Sequence, residues 1–155
     1  MPGEFLWGYN AAADEWYPVA VDANGRLQVD TTPGDKSVIQ IMNAVAVAAG
    51  ATSAHGDCDN IDLLSGASSL AIQVQVAFLA GATQGCRVHI RTSRDGTNWD
   101  TQDLDWFPMP VAPALPGDVV QTEIIDTAPA YIDILVENID PAQAVTVSAW
   151  AIEGP

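Results

Sequence analysis

The sequence predicts an all-β protein: an antiparallel β-sandwich preceded by an N-terminal arm and a small β-hairpin. Three observations lead there. Apolar and polar residues alternate at period two in the clearest segments, as in strands buried on one face. Turn signals rich in Gly, Pro, Asn and Asp recur between those segments. No stretch sustains a 3.6-residue period; the Ala-rich run 44–51 comes nearest, and its β-branched residues favour a strand. The 155 residues suit one core, and a 48% hydrophobic content with 16% charged residues is globular rather than disordered.

Along the chain, residues 1–17 carry Phe5, Leu6, Trp7, Tyr9, Trp16 and Tyr17 with no evident helix or strand. "YPVAVD" and "RLQVD" flank the turn "DANG" and form the small hairpin, so residues 1–32 make one part. Pro33-Gly34 punctuates the chain, and residues 36–153 make the sandwich. Its weaker strands are "SVIQIMNAVAVAA" and "DVVQTEII". In the clear strand "LAIQVQVAF", Leu70, Ile72, Val74, Val76 and Phe78 share one face. "CRVHIRT" places Cys86, Val88, Ile90 and Thr92 inward, with Arg87, His89 and Arg91 outward. "YIDILVEN" sets Ile132, Ile134 and Val136 against Tyr131, Asp133 and Glu137, and "AVTVSAWAI" closes the sheet. "FPMPVAPALPG" is Pro-rich and reads as an extended connection.

Charge excludes some functions. Five basic residues against 20 acidic ones give −15, which repels a phosphate backbone and an anionic membrane. No nucleic-acid or membrane partner is expected. Cys58 and Cys86 form no disulfide framework, and no Cys/His spacing fits zinc. Met1 is followed by no basic region and apolar run of signal-peptide type, so synthesis in the cytoplasm is expected.

The segment "HIRTSRDGTNWDT", residues 89–101, invites several readings. As a hairpin, Asp95-Gly96 is a favoured tight-turn pair because Gly accepts φ > 0, and Ser93, Asp95, Thr97 and Asn98 can bond the turn backbone. Trp99 then starts the return strand. As a calcium loop it offers Asp95, Asn98, Asp100, Asp103 and Asp105, but lacks the glycine and closing glutamate of an EF-hand. As a catalytic site it would need His55 or His89. His89 sits between two arginines, and His55, three residues before Cys58, has no orienting motif around it. The hairpin reading uses every residue, so no enzyme, metal or cofactor is expected.

The motif S-x-D-G-x-x-W, carried by Ser93, Asp95, Gly96 and Trp99, resembles a hairpin of jelly-roll β-sandwiches. These include discoidin-like modules and a set of tailed-bacteriophage virion proteins. "WYPVAVDANGRLQVDTT", through Trp16, Pro18, Val19, Val21, Asp22, Gly25, Leu27 and Val29, resembles a small hairpin common in phage structural proteins. "YIDILVENIDPAQAVTVSAWAI" is similar to the last two strands of such a sandwich, joined by an N-x-D turn. The resemblance implies a jelly-roll-like virion structural protein. It most specifically implies a capsid decoration (cementing) protein, bound to the outer surface of a major capsid protein lattice as a symmetric homo-oligomer, such as a trimer.

Interface candidates follow. Phe5, Trp7, Tyr9, Trp16 and Tyr17 are aromatic anchors for a neighbouring subunit. Arg87, Arg91 and Arg94 form a basic stripe, which either pairs with carboxylates such as Asp133 and Glu137 or docks an acidic neighbour. The alternative function is a carbohydrate- or receptor-binding module of a phage tail or fibre, with Trp99, Trp106 and Phe107 as a loop-borne stacking platform. A head–tail or tail structural protein is a further option.

Overall fold

A computed structural model describes residues 7–10, 15–18, 37–62, 69–125 and 129–154. The chain divides into two compact units, Met1–Pro33 and Gly34–Pro155. In the first, β1 (Trp7–Asn10) pairs antiparallel with β2 (Glu15–Pro18), with Trp7 opposite Pro18 and Tyr9 opposite Trp16. The aromatic arm thus contains a two-stranded ribbon that the sequence pattern did not announce. Most of the expected 17–30 hairpin, beyond Tyr17 and Pro18, lies outside the described residues, as does Phe5.

Among the described residues the second unit is a sandwich of eight strands: β3 (Ser37–Val47), β4 (Ile61–Asp62), β5 (Ser69–Phe78), β6 (Cys86–Ser93), β7 (Asp105–Met109), β8 (Gly117–Ile125), β9 (Tyr131–Asn138) and β10 (Val145–Gly154). One sheet has the order β3-β10-β5-β8 and the other β4-β9-β6-β7, all pairs antiparallel. Every connection crosses between sheets except the β6–β7 hairpin, which is the jelly-roll arrangement of two Greek keys. Among the described residues the helical content is a single 3₁₀ turn, His55–Asp57.

Alternation builds the core as expected. Ile72, Val74, Val88, Ile90, Ile134 and Val147 are wholly buried between the sheets. Two segments differ from the sequence reading. Residues 105–109, within and next to the Pro-rich connection, form edge strand β7, paired with β6 through Val88–Phe107. Pro108 is tolerated because an edge strand leaves one row of its backbone unpaired. Strand β3 carries a bulge opposite Ser148, where Ala44 takes φ 51° and donates its N–H to the Ser148 hydroxyl.

A polar knot fastens one end of the sandwich. Asn138 and Asp140, the ends of the N-x-D turn, are both wholly buried. The Asn138 amide is shared among the carbonyls of Val47, Ala48 and Gln143 at 3.3, 3.1 and 2.8 Å. The Asp140 carboxylate accepts the backbone N–H groups of Thr83, Gln84, Ala142 and Gln143 at 2.5–3.0 Å. Three connections, β3–β4, β5–β6 and β9–β10, are therefore joined by two side chains. Gly85 lies beside the knot, where a Cβ would come within 2.0 Å of the Met109 carbonyl oxygen, so the backbones of β6 and β7 can approach only without a side chain.

Asn138→Ala should leave the buried Val47 carbonyl and the partly buried carbonyls of Ala48 and Gln143 short of a donor, and lower unfolding free energy by about 2 kcal/mol, measurable by urea denaturation. The N–H donors, Thr83 first, then Ala142 and Gln143, hold the Asp140 carboxyl well below the usual carboxylate range against the opposing effect of burial. Because its folded value is depressed, its stabilisation is complete above the unfolded value of about 3.9 and is lost as pH falls below it. Asp140→Asn should therefore be less stable at pH 7 and show a shallower loss of stability below pH 4, read by denaturation across pH.

Candidate interaction surfaces

The outward face of β6 carries the basic stripe, and β9 and the β6–β7 loop answer it with carboxylates. Arg87 pairs with Glu137 at 3.0 Å and lies over the Trp106 ring, 5.0 Å from its centroid. Arg91 pairs with Asp103 at 2.6 Å and donates to the Asp100 carbonyl. His89 sits between Asp103, at 2.9 Å, and Glu137, at 3.4 Å, so both its ring nitrogens face carboxylates. Burial pushes the Asp103 carboxyl up, but the hydrogen bonds and charges of His89 and Arg91 outweigh it and hold the group below its ordinary value. Arg94, 89% exposed, stands apart on the hairpin loop with only a loose 3.7 Å contact to Asp95.

The expected pairing of this stripe with Asp133 is not formed. Arg91 and Asp133 are in register, yet Asp133 is wholly buried on the outward side of β9. Register explains this. Thr52 pairs with Glu137 and Ile61 with Ile132, so the eight residues between Thr52 and Ile61 oppose only four of β9. The surplus, within residues 54–60, leaves the sheet and folds over β9. His55 Nδ1 meets Asp133 Oδ2 at 2.5 Å, and the His55 ring stacks on Trp99 with centroids 5.3 Å apart. Asn60 also donates to the Gly96 carbonyl at 3.0 Å. The result is a clasp joining the β3–β4 connection, β9 and the β6–β7 hairpin.

This clasp supplies the orienting carboxylate that His55 lacks in the sequence, but it does not make a nucleophile of Cys58. Burial, then the Asp133 charge, pushes the Cys58 thiol far up, the reverse of an activated thiolate. Burial, then the charge of Asp140, pushes Cys86 up to about 12. Both cysteines are free and buried. Asp133 itself is raised, by burial first, with contacts from Cys58 and His55 opposing.

The β6–β7 hairpin is closed by its own side chains. Gly96 adopts φ +69°, as the Asp-Gly pair requires, with its Cα side packed on the Tyr131 ring. Ser93 accepts from the N–H groups of Asp95 and Gly96, and Asp95 accepts from Thr97 and Asn98. Trp99 forms an isolated bridge with Ser93 and does not open the return strand. The calcium candidates are dispersed: Asp95 serves the turn, Asp100 accepts the Thr92 hydroxyl and Asp103 faces His89 and Arg91. Among the described residues no three metal-binding side chains converge.

The proposed stacking platform is divided. Phe107 points inward and is 5% exposed, as alternation along β7 requires, so it belongs to the core and cannot stack on a ligand. Trp106 points outward and is 52% exposed, on a strand and not a loop. Trp99 is half-buried beside a shallow depression bordered by Thr92, Arg94, Asn98 and Pro129. Of the arm anchors, Trp7 and Tyr9 fall in β1, and Trp16 and Tyr17 in β2.

No protein-family model matches the sequence, and no curated protein matches it. Among solved structures, the chain is similar to PBSX exported protein XepA at 11% identity and TM-score 0.49, over 99% of this chain and 49% of that one. It thus spans about half the length of that protein. It is similar to a structure described as Bacillus endospore appendages, a family of disulfide-linked pili, at 9% identity and TM-score 0.37, over 82% of this chain and 96% of that one. Dimeric latent PorU from Porphyromonas gingivalis is similar at 10% identity and TM-score 0.46, over 98% and 18%. Likenesses of this strength define no family.

His55→Ala should leave Asp133 buried without its partner. The expected loss is about 2 kcal/mol at pH 7, less than for a fully buried pair because His55 is partly exposed. The folded Asp133 value is raised, so the unpaired charge is relieved as pH falls through it, and the difference between variant and parent should shrink in acid. Urea denaturation at pH 7 and pH 5 measures both effects.

Proposed function

We propose that this chain is a non-enzymatic structural protein of a bacteriophage virion, acting as a capsid decoration protein on the outer surface of the shell. The observation that carries this reading is the pairing of Arg87 with the exposed Trp106 on the open face of β6 and β7. Arg and Trp are the residue types that most often anchor protein interfaces. Here they stand on rigid strands of a jelly roll, the architecture implied by the phage-like hairpins at Ser93–Trp99 and Trp16–Val29. Neutralised ion pairs surround them, so docking on a charged shell does not require burying a lone cation.

The mechanism is linkage. A protein that binds the assembled lattice and not its free subunits stabilises the lattice by mass action. Symmetric association multiplies the contacts, so modest single-site affinity becomes strong occupancy. The aromatic arm provides a second set of anchors at Phe5, Trp7, Tyr9, Trp16 and Tyr17. The other reading, a carbohydrate-binding module, is favoured only by the depression at Trp99; glycan binding lost in Trp99→Ala and retained in Trp106→Ala would support it.

Cosedimentation with assembled capsids of the cognate phage tests the proposal. Trp106→Ala should reduce occupancy at least about tenfold with unchanged thermal stability. Removal of residues 1–17 should leave the sandwich folded and abolish binding. Full occupancy by both variants would refute the assignment of these surfaces, and absence of binding by the parent chain would refute the decoration role.

A further inference from the structure

The two sheets turn different faces to solvent. The outer face of β4-β9-β6-β7 is dense in charge. The outer face of β3-β10-β5-β8 is nearly free of it, in a chain with 20 acidic residues. Registered rows cross this second face. One is Val38, Ile152, Ala71 and Ile124, a continuous apolar belt over four strands. The next is Gln40, Trp150, Gln73 and Thr122. Towards the other end stand Ser148, Gln75 and Val120, then Ala46, Thr146, Ala77 and Asp118. Asp118 is the one charged side chain among these outward positions, and it is occupied by the Gln75 amide at 2.7 Å. Ile124 is 84% exposed, Val38 64% and Val120 54%.

We infer that this face is a self-association surface, on which a second copy of the chain stacks its own identical face about a twofold axis. Charge selects the occupant. Two copies at −15 each repel, and close contact is cheapest where neither presents charge. A neutral face is self-complementary, as a twofold contact requires. The polar rows are amides and hydroxyls, which can both donate and accept and so tolerate meeting their own kind. The area suffices: four strands about 4.8 Å apart and four rows about 6.8 Å apart span on the order of 500 Å², so stacking removes about 1,000 Å² in total, the lower bound of a specific interface. Sheets packed face to face in this way resemble the interior of a sandwich.

The inference does not rest on the decoration role, and it departs from the threefold assembly implied by the phage resemblance. The test is sedimentation equilibrium of the full chain, with Ile124→Glu and Val38→Glu as variants on opposite edges of the belt. Both positions are well exposed, so folding should be unaffected, as thermal melting would verify. The parent should have twice the chain mass. Each variant should weaken association at least about 100-fold, because symmetry places the new charge in the interface twice. Trp106→Ala, on the opposite sheet, should leave the mass unchanged. Raised salt should strengthen the dimer by screening the repulsion between copies. A parent that stays monomeric at about 0.5 mM overturns the inference. So does a trimer, or a dimer indifferent to both glutamates. Capsid cosedimentation of Ile124→Glu separates this surface from the shell-binding one.

Discussion

The buried pair Asn138 and Asp140 is the constraint on which the sandwich depends. A jelly roll sends nearly every connection from one sheet to the other, so the connections at each end must satisfy their backbone groups away from any strand partner. Here one amide and one carboxylate do this for three connections at once. The main chain adds Gly50 to the Asp140 carbonyl, Asn138 to Ala51 and Ile139 to Gly85. A carboxylate is suited to the position because it only accepts, and five donors converge on it, the Thr83 hydroxyl included.

The other fastening is of a different kind. The His55–Asp133–Trp99 clasp holds a loop against a sheet face that would otherwise be open to water. It buries a carboxylate, which burial alone disfavours, and compensates with an imidazole partner stacked on an indole. The chemistry of Cys58 is quiet for a related reason. Burial first, and the charge of the neighbouring Asp133 second, hold its thiol protonated, so a Cys-His pair close in sequence is structural in space.

Together these fastenings leave two broad sheet faces as the surfaces available to partners, and their electrostatics differ. On the β6 side, Arg87 and Arg91 are paired with carboxylates from β9 and the β6–β7 loop, and Trp106 stands among them. On the β5 side, neutrality comes from composition. Cross-strand cancellation costs side-chain ordering and yields a face specific in geometry. Compositional neutrality costs nothing and yields a face permissive toward itself.

Much of the architecture was legible in the residues. Period-two alternation identified β5, β6, β9 and β10 and their inward positions, because burial of one face is a local demand on each strand. The Asp-Gly turn at 95–96 was legible for the same reason: its hydrogen bonds close within a few residues. So was the N-x-D turn at 138–140, through its local bonds to Ala142 and Gln143, whereas its long-range bonds to Val47, Ala48, Thr83 and Gln84 were not. Strand β7 was masked by Pro108, which reads as a breaker until an edge position is known. The two-residue β4 carries no pattern long enough to detect. The burial of Asp133, the inward placement of Phe107 and the stacking of Trp99 on His55 were decided only by the tertiary structure. Alternation says to which side a residue points, not what covers that side. That depends on long-range register, here the four surplus residues that fold the His55 loop over β9. Which strands lie side by side, and so which side chains assemble into a charged face or a neutral one, is likewise a property of the pairing between strands far apart in the chain.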